Sequence, residues 1–135
     1  MPQGQPDISN TTILVVDDDE SVAGLLQAIL SRDGHSVHTA GDGDEAVRLA
    51  SELKPSLIFM DIAMPGMNGY EATANIKQLP GMKDTPVIFL SGKSAEEDGG
   101  RAFAQGGLTY LRKPFSNQQI RDLVNLTLQS MFGNA

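Results

Sequence analysis

Three carboxylates in a row, Asp17-Asp18-Asp19, end the apolar run Ile13-Leu14-Val15-Val16, and a single carboxylate, Asp61, ends the run Leu57-Ile58-Phe59-Met60. Two further apolar runs finish on other reactive groups: Phe89-Leu90-Ser91 on a hydroxyl, and Tyr110-Leu111-Arg112-Lys113 on an amine that is followed by Pro114-Phe115. Acid, hydroxyl and ammonium gathered in one place are the parts of phosphoryl transfer to a carboxylate, where positioning and charge neutralisation supply most of the catalysis. Carboxylates a few Å apart repel each other and raise each other's pKa unless a cation sits among them. Oxygen donors with no His or Cys beside them suit a hard divalent ion, Mg²⁺ or Mn²⁺, rather than zinc. An aspartate nucleophile at such a centre forms an acyl phosphate.

Each residue alone has a plainer reading. Asp19, and less readily Asp18, could cap a following helix. Asp61 has no helix signal until Asn68, so capping does not explain it. Ser91 alone reads as a turn hydroxyl and Lys113 alone as a solvated charge; their shared register is the stronger signal. His35 and His38 have no metal-ligand spacing and flank a surface-like strand. Met64, Met67 and Met82 read as loop or packing residues.

An apolar run that stops at a carboxylate reads as a buried strand delivering charge to its carboxyl end, where open α/β sheets bind ligands. Strand-like runs lie at 12–17, 36–40, 57–61, 86–91 and 108–112, and five helix-period segments alternate with them. The first helix carries Val22, Leu25, Leu26, Ile29 and Leu30 on one face and ends near Asp33-Gly34; the second carries Ala46, Leu49, Ala50 and Leu53 and stops before Pro55. The last, from about 116 to 131, carries Ile120, Leu123, Val124, Thr127 and Met131. Asp42 with Glu45, Asn68 with Glu71, Ser94 with Glu97 and Ser116 with Gln119 each match a cap residue followed by Glu or Gln three positions on. The fourth helix, between Ser94 and Gln105, is the weakest because Gly99 and Gly100 fall inside it. Strict alternation predicts a doubly wound α/β domain with a five-stranded parallel sheet and right-handed crossovers. With a switch point between the first and third strands, Asp18, Asp61, Ser91 and Lys113 converge on one crevice, since each recurs at the same point of a βα unit.

At 135 residues the chain is expected to form one domain, from 11 to 132, behind a loose Pro-, Gln- and Gly-rich leader at 1–10 and before a short tail at 133–135. It has no cysteine, which excludes disulfides, thiolate catalysis and thiolate zinc sites. The formal net charge of −7 argues against a nucleic-acid surface. The start Met1-Pro2-Gln3-Gly4-Gln5-Pro6-Asp7 has no signal-peptide character, and no run reaches spanning length, so no membrane insertion and a cytoplasmic setting are expected.

Taken together, Ile-Leu-Val-Val-Asp-Asp-Asp at 13–19, Asp-Ile-Ala-Met-Pro-Gly-Met-Asn-Gly at 61–69, Phe-Leu-Ser at 89–91 and Lys113-Pro114-Phe115 resemble the receiver domain of two-component response regulators, over nearly the whole chain from Thr12 to about Met131. The likeness is to single-domain, chemotaxis-regulator-like members. It implies the flavodoxin-like (βα)5 fold with strand order 2-1-3-4-5. It implies Asp61 as phosphoacceptor, Mg²⁺ held by Asp17, Asp18, Asp61 and the Ala63 carbonyl, and Ser91 and Lys113 on the phosphoryl group. A cis peptide at Lys113-Pro114, and Ser91 with Tyr110 as the switch pair, follow from the same resemblance. So do the partners: a histidine kinase or histidine phosphotransfer protein as donor, and a downstream protein reading the face of the fourth helix, fifth strand and fifth helix. No output domain is expected after the last helix, so the signal passes through a partner surface or onward to another histidine. One rival enzyme reading exists. Asp17-Asp18-Asp19-Glu20-Ser21 also fits the D-x-D-x-S nucleophile pattern of haloacid-dehalogenase-like phosphatases, although that scheme lacks a cap and leaves the Asp61 loop unexplained.

Overall fold

The five apolar runs become five parallel strands: β1 (Thr12–Val16), β2 (Ser36–Ala40), β3 (Leu57–Asp61), β4 (Val87–Ser91) and β5 (Thr109–Arg112). The computed structural model describes residues 11–92 and 107–132. Within these, four helices join or follow the strands: α1 (Glu20–Arg32), α2 (Gly43–Leu53), α3 (Gly69–Lys77) and α4 (Asn117–Phe132). The segment expected to be a helix at 94–105, the leader at 1–10 and the tail at 133–135 lie outside the described residues, so the helix expected fifth is α4. Strand order is β2-β1-β3-β4-β5. The order reverses direction between β1 and β3, as an open doubly wound sheet requires.

The central strands are buried on both faces, which is why they read as unbroken apolar runs. Alternation along each strand divides them between two core layers. Ile13, Val15, Leu57, Phe59, Ile88, Leu90 and Leu111 pack with Leu26, Leu30, Ile120, Val124 and Leu128 of α1 and α4. Leu14, Val16, Ile58, Met60, Val87 and Phe89 pack with Ala46, Ala50, Ala72 and Ile76 of α2 and α3. Tyr70 meets Phe89 edge-on at 5.0 Å within this second layer. Met64 and Met82 also pack there, as expected.

The helix ends follow their sequence signals. Asp19 caps α1 by accepting from the Ser21 N–H at 2.9 Å, and Asp42 caps α2 by accepting from Glu45. Asn68 and Glu71 satisfy each other's backbone N–H groups at α3, and Ser116 and Gln119 do so at α4. Gly34, at φ 95°, turns the chain out of α1, and the His35 N–H returns to the Leu30 carbonyl at 3.1 Å. Lys54 ends α2 in the left-handed region at φ 50°, and its ammonium reaches the Pro80 carbonyl at 2.7 Å, tying α2 to the turn before β4.

Three packing expectations need correction. Leu25 is 44 % exposed, because the buried stripe of α1 is narrower than the run of leucines and uses Ala23 instead. Met131 is also exposed, and Leu128, one turn earlier, fills the core position in α4. His35 is buried although β2 is an edge strand, because the turn out of α1 folds its ring inward.

Two predictions follow from buried polar atoms. The Thr73 hydroxyl is fully buried with no hydrogen-bond partner, so Thr73→Val should raise stability by about 1 kcal/mol, read as a higher urea midpoint at unchanged slope. The His35 Nδ1 is likewise buried without a partner, and burial holds its pKa below the ordinary 6.5 against the opposing charge of Asp33. A lowered folded pKa means that the unfolded chain takes the proton first, so stability contributed by neutral His35 is lost as pH falls below about 6.5. Urea titrations at pH 7.5 and 5.5 should show this loss in the parent and not in His35→Leu.

Candidate functional site

Register alone brings the reactive groups to one edge. Val16 pairs with Met60, so Asp17 and Asp61 leave adjacent parallel strands at the same height. Asp61 pairs with Leu90 and Ser91 with Arg112, so Ser91 and then Lys113 stand one residue further on across β4 and β5. Ladder bonds continue past the strand ends: Asp17 N–H to Ala40 C=O at 3.1 Å, Ile62 N–H to Leu90 C=O at 3.1 Å and Lys113 N–H to Ser91 C=O at 2.7 Å. These bonds fix the main chain on either side of the crevice. The Lys113-Pro114 peptide is cis.

Asp17, Asp61 and Ser91 are buried, whereas Asp18 is exposed and Lys113 half-buried. The Lys113 ammonium lies 2.8 Å from Asp17 Oδ2 as an ion pair outside hydrogen-bond angles, and it donates to Asp61 Oδ1 at 3.3 Å. Asp17 Oδ1 accepts the Asp19 N–H at 2.9 Å. One carboxylate oxygen from each of Asp17, Asp18 and Asp61 lies within 4.8 Å of the others.

The electrostatics follow from that crowding. Burial first, and then the Asp17 charge, push the Asp61 carboxyl from an ordinary 3.8 up to about 7, although Lys113 pulls it down. Burial lowers the Lys113 ammonium, but Asp17 and Asp61 outweigh it and leave the pKa raised, so this lysine is charged throughout the neutral range. Among the described residues, the three carboxylates when ionised and the one ammonium leave two negative charges, the charge of one divalent ion. The donors are all oxygen, and Asp18 keeps the cluster open to water, which suits Mg²⁺. The residues present therefore fit such an ion.

The remaining expected residues are placed as follows. Ser91 ends β4 one step beyond the neighbour of Asp61. Ala63 lies exposed in the loop between β3 and α3. Tyr110 pairs with Phe89 and is half-buried against the α2/α3 layer rather than within the acidic cluster. Asp19 serves as the cap of α1, the plainer of its two readings. Gly69 closes the 61–69 motif, but its role emerges only from the structure, because a Cβ there would collide with the main chain at Asp61. Its one sequence signal is a glycine directly after a cap residue, where alanine is the better helix former.

The response regulator receiver domain profile matches residues 13–125. The chain belongs to the response regulator receiver family. This receiver domain is 36 % identical over 116 residues to protein PilH of Pseudomonas aeruginosa, covering 86 % of the chain and 96 % of PilH. It is 38 % identical over 120 residues to the alkaline phosphatase synthesis transcriptional regulatory protein PhoP of Bacillus subtilis, covering 89 % of the chain but only 49 % of PhoP, so the chain spans about half the length of that relative. Among solved structures it superposes on the Vibrio cholerae chemotaxis protein CheY4 with a TM-score of 0.83 at 28 % identity, covering 87 % of the chain and 98 % of CheY4. Membership does not support the haloacid-dehalogenase-like reading. Among the described residues no helix is long and apolar enough to cross a membrane.

The raised Asp61 pKa makes the metal-free receiver pH-sensitive in a definite direction. A carboxyl that binds its proton more tightly when folded stabilises the fold below pH about 4, and this stability is lost as pH rises through about 7. Asp61→Asn removes the loss. Discounting the shift for partial solvent screening, the variant should exceed the parent by about 1–2 kcal/mol at pH 8 in EDTA. Urea melts check this, and saturating Mg²⁺ should raise the parent's midpoint and close the gap.

Proposed function

We propose that this receiver domain accepts a phosphoryl group on Asp61 and passes the change to a partner protein, or relays the phosphate onward to another histidine. The single observation that carries this reading is the convergence of the Lys113 ammonium on both Asp17 and Asp61 at the carboxyl edge of the sheet. Asp17, Asp18, Asp61 and the Ala63 carbonyl would hold Mg²⁺, with Mn²⁺ as a substitute. The bound ion supplies charge neutralisation for the carboxylates and for the incoming phosphoryl oxygens.

Within this reading the Asp61 carboxylate attacks the phosphorus of a phosphohistidine. The P–O bond to Asp61 forms as the P–N bond to the donor imidazole breaks, and the nitrogen's electron pair returns to the ring. Lys113 moves its charge from the carboxylates toward the transferred group, and the Ser91 hydroxyl donates to one of its oxygens. The chain catalyses only its own phosphorylation and dephosphorylation. Tyr110 flanks Phe89, two residues before Ser91 on the same strand, so inward movement of Ser91 frees space beside the tyrosine. Ser91 and Tyr110 form the switch, two packings whose balance the phosphoryl charge shifts. The face read by the downstream partner is that of the segment 94–105, β5 and α4. Residues 11–132 make up the signalling unit, which works in the cytoplasm with a histidine kinase or histidine phosphotransfer protein as donor, without binding nucleic acid.

The test is incubation with acetyl phosphate and Mg²⁺, followed by borohydride trapping and peptide mass spectrometry. Label on Asp61, absent from Asp61→Asn, supports the switch; label on Asp17 would indicate phosphatase-type chemistry instead. Lys113→Ala should slow labelling about 100-fold or more, in line with loss of one preorganised charged donor.

A further inference from the structure

We infer that Gly69 is a positioning residue for the reaction at Asp61: its lack of a side chain lets the first turn of α3 rest directly on the main chain of Asp61 and Ile62. This rests on the reading of Asp61 as phosphoacceptor. A Cβ at Gly69 would overlap the Asp61 carbonyl oxygen and stand 2.9 Å from both the Asp61 carbonyl carbon and Ile62 Cα. These are backbone atoms that no rotamer change can move aside. Gly66 and Gly81 serve a different need, since they hold φ 74° and 81°, whereas Gly69 is required for space alone. The Gly69 N–H also donates to the Ile62 carbonyl at 3.0 Å, closing the loop 62–68 onto its own start. The Asn68–Glu71 capping pair then fixes α3 at that point. Strand register sets the level of Asp61, and this contact fixes its main chain and the start of the 62–68 loop from the α3 side.

The same fold contains a control. Gly24, exposed within α1, has nothing within 4 Å of where a Cβ would stand. Gly43, the first residue of α2 as Gly69 is of α3, is no such control: a Cβ there would stand 2.8 Å from Met67 Cβ, which moves only with its own main chain in the loop 62–68. Gly24→Ala adds a methyl group without pressing on that loop, whereas Gly69→Ala presses on the Asp61 main chain.

The experiment compares Gly24→Ala and Gly69→Ala in the Thr73→Val background, at a temperature where circular dichroism shows each folded. Three quantities are read: amide chemical shifts of Asp61, Ile62 and Ala63 without metal, the Mg²⁺ dissociation constant, and the labelling rate with acetyl phosphate. Gly69→Ala should move all three amides, weaken Mg²⁺ and slow labelling at least about 10-fold, while Gly24→Ala stays within about twofold of its parent. A folded Gly69→Ala with parental shifts, metal affinity and rate overturns the proposal. Equal losses in Gly24→Ala overturn it too, and so does failure of Gly69→Ala to fold, which would make the glycine a folding requirement only. If the parent takes no phosphate, the Asp61 reading fails, and the amide shifts still decide whether Gly69 positions that main chain.

Discussion

Two carboxylates that leave adjacent parallel strands at the same height cannot avoid each other, and this enforced closeness governs the rest of the site. Asp17 and Asp61 are brought together by the β1–β3 register, at buried positions where neither can turn fully to water. Burial and mutual repulsion store unfavourable energy there, expressed in the raised Asp61 pKa. Among the described residues, the ammonium of Lys113 relieves it in part. What remains is a pocket whose electrostatics an added cation would complete and whose exposed member, Asp18, leaves the entry open. On the proposed reading, that instability is the basis of metal binding rather than a defect.

Holding that arrangement requires a stiff support. The central strands supply it with residues buried on both faces, and the ladder bonds that run past the strand ends fix the main chain at Asp17, Ile62 and Lys113. Caps at Asp19, Asp42, Asn68 and Ser116 define where each loop gives way to helix. The carboxyl groups are thereby mounted on short, tightly anchored connections, as precise positioning demands.

Much of this was legible in the residues themselves. Apolar runs ending in polar groups marked the strands and their working ends, because a strand buried on both faces leaves no alternation to obscure it. The cap pairs located α2, α3 and α4 for the same local reason. Helix faces were less legible: Leu25 and Met131 fit the apolar period but point to solvent, since periodicity cannot say how wide the buried stripe is. The inward turn of His35 depends on the Gly34 conformation at the end of α1, which composition does not encode. The role of Gly69 was not legible, because it is an absence of atoms against a segment eight residues earlier in the chain. The closeness of Asp17 and Asp61 depends on register between strands, which no single segment contains.

The central claim is that one divalent ion completes the Asp17, Asp18 and Asp61 cluster. Its most direct measurement is calorimetric titration of Mg²⁺ near pH 7 in two buffers of different ionisation heat. The account predicts one ion per chain with proton release on binding, because Asp61 is partly protonated in the free protein and must lose that proton to ligate. No saturable binding, or saturation at other than one ion per chain, would contradict it.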